Sequence, residues 1–209
     1  MTKPVFTYDS DLIGGSLQVR ESRIIAHLLL DRADPDRWKQ EIQQQNLLQK
    51  RSPATARRVA QALRKRLERL EPAFWRALRD GDDELATQVA FCAALERNLL
   101  LVEFMETVVR DAFVMRAELL EPWHWNDFLD ERSQRDPALA EWTESSRRKM
   151  GQVAFRMLAE VGLLKSTRSM KLQHLLVRAE VRALLDDSHR QRIKACLSVS
   201  SAQTAPVQG

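Results

Sequence analysis

The sequence predicts a mainly α fold, a compact multi-helix protein with helix-turn-helix-like elements. Three observations predict it. Apolar residues recur at helical spacing along most of the 209 residues. Prolines stand where helices begin, at Pro35, Pro53, Pro122 and Pro137. Six glycines and seven prolines are too few to punctuate a β-sandwich or barrel.

Taken in order, Leu17, Ile24, Ile25, Leu28 and Leu29 mark a first amphipathic helix, roughly 16–31. Asp34-Pro35 reads as N-cap and first turn of a second, which carries Trp38 and Ile42 and fades at Asn46. Ser52-Pro53 repeats that signal for a third helix to about residue 70, and a short one with Phe74 and Trp75 stops at Gly81. Residues 82–97 and 98–116 read as two helices or one bent helix. LLLVEFMETVVRDAFVM is apolar nearly all round and is expected to be the central buried helix. A helix over 143–161 ends at Gly162, a good residue for a left-handed C-terminal cap. The following LLKSTRSMKLQHLLV has two short apolar runs around a polar turn. It is the one stretch, near 163–177, that admits a short β-hairpin. A helix near 179–186 and a short basic segment at 189–196 complete the ordered part, and the polar tail 198–209 is expected to be disordered. By composition the chain divides into an N-terminal helical, helix-turn-helix-like region (1–80), a central acidic region (81–142), a C-terminal winged-helix-like or helical region (143–197) and the tail.

Composition excludes several classes. Hydrophobic residues at 44% and charged residues at 30% match a folded chain with a core. The two cysteines, Cys92 and Cys196, lie far apart, and the four histidines form no metal-binding pattern, so no metal and no cofactor are expected. His27 reads as a packed histidine, and Glu103, Glu106 and Asp111 as ordinary helix-surface acids. No Ser-His-Asp or Cys-His arrangement has a supporting motif, and Gly14-Gly15 is a turn without the Lys-Ser or Lys-Thr of a phosphate loop, so no enzyme is predicted. The start lacks a signal-peptide core, and the most apolar window, 99–109, is shorter than the about 20 residues of a membrane span. The expected compartment is the cytoplasm, with no membrane contact.

Charge is segregated. Residues 51–79 hold nine basic and two acidic side chains, 80–144 hold five and sixteen, and 145–178 hold eight and one. Two basic blocks therefore flank an acidic centre, a pattern that speaks to partners. In RSPATARRVAQALRKRLERL the apolar residues Ala56, Val59, Ala60, Leu63 and Leu67 share one helical face. Arg58, Lys65 and Arg69 point away from it, Arg57 and Arg64 lie on a flank, and Arg51 precedes the helix. Such a ridge suits phosphates, and helix, turn, basic helix is a helix-turn-helix outline. In the second block, Arg148, Lys149 and Arg156 lie opposite the apolar face. Lys165, Thr167, Arg168 and Lys171 would sit in the turn of a wing, or in an irregular loop if no wing forms. Trp123 and Trp125 stand in the acidic stretch, where a polyanion is repelled, so they read as core aromatics or a protein-contact patch.

Tyr8, Gly14-Gly15, Glu21-Ser22, Trp38, NLLQKRSPATARR, Arg66-Leu67, FMETVVRD (104–111), the Trp125–Phe128 segment, Trp142 and LAEVGLL (158–164) together resemble the BrxA family, in the same order, over about residues 8–187. These are small proteins of BREX phage-defence gene clusters in bacteria. The resemblance implies a mainly helical cytoplasmic protein similar in fold to the NusB group. It also implies non-catalytic binding of double-stranded DNA in support of other BREX proteins. A NusB-like bundle has no wing, so 163–177 would then be loop and helix. The DNA-binding residues, Arg51, Arg57, Arg58, Arg64, Lys65, Arg69, Arg148, Lys149, Arg156, Lys165, Arg168 and Lys171, follow from charge geometry alone. The alternatives are an adaptor that contacts other defence proteins through its acidic, aromatic face, and a NusB-like RNA binder.

Overall fold

The computed structural model describes Tyr8, Leu12 and residues 15–204, so Gly14 of the expected Gly14-Gly15 turn and the last five residues of the tail lie outside it. The protein is mainly helical, and no extended strand forms among the described residues. They pack as two compact units, Leu17–Arg97 with Val177–Lys194, and Asn98–Leu176 with the two chain ends. The division cuts through the acidic centre, between Arg97 and Asn98.

In the first unit, α1 (Val19–Leu30) lies against α4 (Pro72–Asp80), and both pack on α5 (Asp83–Arg97). Most of α5 is buried, from Leu85 to Leu95, so this helix forms the centre of its unit. Asp34 caps α2 (Pro35–Lys39), accepting from the Arg37 amide at 2.8 Å, and a π-helical turn (Gln40–Gln44) carries Ile42 inward. Asn46 then brackets the connection, since its side chain donates to the Lys50 carbonyl and accepts from the Lys50 amide. With Leu48 fully buried, this connection is pinned at two points before Ser52 caps α3 (Pro53–Leu67). Residues Ala179–Asp187 (α10) and Gln191–Leu197 (α11) follow late in the chain, and α10 packs on α5. His27, expected to be packed, is on the exposed side of α1, 3.6 Å from Asp31.

The second unit centres on α6 (Leu99–Phe104), a π-helical turn (Met105–Val109) and α7 (Arg110–Val114). Phe104 meets Trp125 and Phe128 of α8 (Pro122–Ser133) edge-on, at 5.0 and 5.3 Å between ring centres, and Phe155 of α9 (Glu144–Val161) at 6.0 Å. Gly151 lets α9 approach α8. A Cβ there would stand 2.7 Å from Trp125 Cδ1. Gly162 ends α9 with φ +95°, where a side chain would be strained.

The wing is reduced to single bridges. Leu164 pairs with Leu172, Leu119 pairs with Lys171, and Leu120 donates to the Met170 carbonyl at 2.9 Å. The segments are too short and too irregular at Met170, with φ 52°, for a ladder to extend. Part of the segment expected to be a disordered tail, Val199–Thr204, is a short 3-10 helix with Val199 and Ser200 buried.

Glu103 is buried, in contrast to its reading as a surface acid. It accepts from Tyr8 Oη (2.8 Å), Arg132 Nε (2.7 Å) and Arg135 Nη1 (3.1 Å). Charge pairing offsets the cost of placing a carboxylate there. Burial, and then the hydrogen bond to Glu103, push the Tyr8 hydroxyl up to about 12. Its stabilising contribution is therefore intact below the unfolded value of about 10 and is lost as pH rises through 12. Tyr8 is the chain's one tyrosine. Phenolate absorbance is expected to titrate near 12 in the folded chain and near 10 in urea. Coincident midpoints would show that this network does not hold.

Candidate nucleic-acid interface

The first basic block lies wholly in the first unit. Helix α3 buries Ala56, Val59, Ala60, Leu63 and Leu67, which turns Arg57, Arg58, Arg64 and Lys65 outward, all exposed. Arg51 and Arg69 are exposed at its two ends, outside the helix. Arg66, on the inner side, is buried and does not belong to the ridge. Arg58 and Lys65 fall seven residues apart on one line of the helix, and neither has a carboxylate partner among the described residues. Arg57 and Arg64 instead face a cleft of about 220 Å³ together with Lys39, Gln61 and the ring of Trp38. Arg64 is held there twice, over Trp38 at 4.7 Å and by Glu68 at 2.6 Å. Lys39 escaped the sequence reading, and Trp38 was placed on the second helix without being assigned to this cleft. The signal for Trp38 was its place on the helix preceding α3, four residues from Ile42.

The second block lies in the second unit except for Arg178 at its end. Helix α9 buries Met150, Val153, Ala154, Met157, Leu158 and Val161 and exposes Arg148, Lys149, Gln152 and Arg156. Arg148 has a long ion pair with Glu144 at 3.7 Å. Lys165, Arg168 and Lys171 are all exposed on the turn after α9. That turn closes on itself, with Lys165 donating to the Lys171 carbonyl at 2.8 Å and Ser169 to Ser166 Oγ at 3.1 Å. The cations thus share a short surface region without a formed wing.

The two tryptophans separate. Trp123 is 55% exposed and stacks on His124 at 3.9 Å. Trp125 is 1% exposed and donates to the Arg147 carbonyl at 3.1 Å, so it belongs to the core and not to a contact patch. Positions two apart on a helix point about 200° apart, which is the physical reason. Among the described residues no cluster of His, Cys, Asp and Glu could hold a metal ion, and no single helix is long and apolar enough to cross a membrane. The arrangement offers phosphate-pairing cations on two helices.

A family model described as BrxA matches residues 7–189. A relative in Paramagnetospirillum magneticum, named "BREX protein BrxA", is 37% identical over 193 residues, covering 92% of this chain and 97% of its own. A relative of the same name in Escherichia coli O9:H4 (strain HS) is 34% identical over 187 residues, covering 90% and 88%. A solved structure, described as that of an uncharacterized protein from Magnetospirillum magneticum, superposes with a TM-score of 0.85 at 35% identity, over 92% of this chain and 99% of that one.

Proposed function

The chain belongs to the BrxA family, and from that premise we propose that it is a non-catalytic component of a BREX anti-phage system that binds double-stranded DNA through phosphate contacts from α3 and α9. One observation carries the proposal. Each helix buries its apolar stripe and exposes a run of Arg and Lys; α3 holds no acid at all, and in α9 the acids Glu144 and Glu160 stand at the two ends with Arg148, Lys149 and Arg156 between them. A merely solvated helix mixes signs along its face. The exposed set supplies cations for a polyanion, and phosphate contacts position a duplex without specifying its bases, so duplex binding is expected to be largely indifferent to sequence.

Competition between a random duplex and a single-stranded RNA of equal length tests this reading. Displacement of labelled duplex by unlabelled duplex, with RNA a poorer competitor, is the expected result. RNA competing better would replace the DNA reading with an RNA one. A second role can coexist with the first. Exposed Trp123 supports a contact with other BREX proteins, because exposed aromatics anchor interfaces.

A further inference from the structure

In the second unit, α9, the start of α8 and the turn after α9 enclose a cleft of about 580 Å³. That is the size of a small-molecule site and far too small for a duplex. Arg148 and Arg156 stand on one wall, two helical turns apart, with Gln152 between them. Asn126 and Thr167 face the same space, and Phe155 and Met170 supply an apolar floor. Trp125 also lines the cleft, packed against Gly151, where a Cβ would stand 2.7 Å from its Cδ1. Met170 is held at φ 52°, a rare backbone state for a side chain of its size. Its amide bonds to the Ser166 carbonyl and its carbonyl to the Leu120 amide, both at 2.9 Å. Backbone outliers held in place by their surroundings cluster at ligand sites.

We propose that this cleft binds a single nucleotide unit, its phosphate on Arg148 and Arg156 and its base against the Phe155–Met170 floor. A bare anion would need the cations alone. Here the same walls carry apolar area and the side-chain amides of Gln152 and Asn126, groups that pair with a base edge. The proposal rests on the reading of α9 as phosphate-binding, and it is independent of α3. The unit has two sources, a free nucleotide or an unpaired nucleotide at a strand end.

Calorimetric titration of the full chain with dAMP, with inorganic phosphate as the comparison, is the test, alongside a duplex carrying one unpaired 3′ dA and its blunt counterpart. Binding of dAMP or of the overhang in preference to phosphate and blunt duplex is expected. Arg148→Ala with Arg156→Ala should weaken it by about 10-fold or more. Gln152→Trp, at an exposed position that tolerates bulk, should fill the cleft and remove it. Preference for the overhang assigns the strand end, and binding of dAMP without such preference assigns the free nucleotide. Arg58→Glu with Lys65→Glu should leave dAMP binding unchanged while binding of both duplexes falls, so that loss of one reading does not take the other with it. Equal affinity for dAMP and phosphate, indifference to Gln152→Trp in a folded variant, or no binding of either nucleotide probe would overturn the proposal.

Discussion

Trp125→Ala is expected to destabilise the protein by about 4 kcal/mol. The side chain is 1% exposed and sits among Phe104, Phe128 and the backbone of Gly151. Truncation removes its apolar burial, leaves a cavity between α8 and α9, and breaks two aromatic contacts worth roughly 0.5–1.5 kcal/mol each. Native stabilities run to about 5–15 kcal/mol, so the variant would be marginal. Urea unfolding followed by circular dichroism measures it. Trp123→Ala, two residues away and exposed, is the internal comparison and should stay within about 0.5 kcal/mol. Equal losses for the two would contradict the placement of Trp125 in the core.

Reversing Arg58 and Lys65 together, as Arg58→Glu with Lys65→Glu, is expected to weaken duplex DNA binding by about 100-fold or more at moderate salt, from two lost charge-assisted contacts and two new repulsions. Both residues are exposed on one line of α3, away from its buried stripe, so the melting temperature should hardly move. The same pair should lower the salt slope by about two phosphate contacts. Arg64 is a poorer target, because its stack on Trp38 and its bond to Glu68 tie it to local structure. Unchanged affinity in the folded double variant would remove α3 from the interface and turn attention to Trp123 and protein partners.

Helix starts were the most legible part of the sequence. Asp34-Pro35 and Ser52-Pro53 combine a side-chain acceptor with a residue that lacks the orphan amide, and both helices begin there. The exposed faces of α3 and α9 were legible for a similar reason, since helical period and charge act locally. What escaped depends on residues distant in the chain. Glu103 looked like a surface acid because Tyr8, Arg132 and Arg135, its partners, lie 95, 29 and 32 residues away. The apolar runs around 163–177 have strand-like composition, yet pairing stops at single bridges where Met170 turns left-handed. The cleft beside Arg148 and Arg156 is lined from α8, α9 and the turn after α9, a tertiary fact with no periodic trace. The Trp123/Trp125 separation was readable from helical geometry.

The most direct measurement is the affinity of the full chain for a random duplex of about 30 base pairs, by fluorescence anisotropy across a series of salt concentrations. Phosphate binding by exposed cations on α3 and α9 predicts that log affinity falls linearly with log salt, with a slope equivalent to several released counterions, whatever the duplex sequence. An affinity that does not change with salt, or no binding even at low salt, would contradict the account.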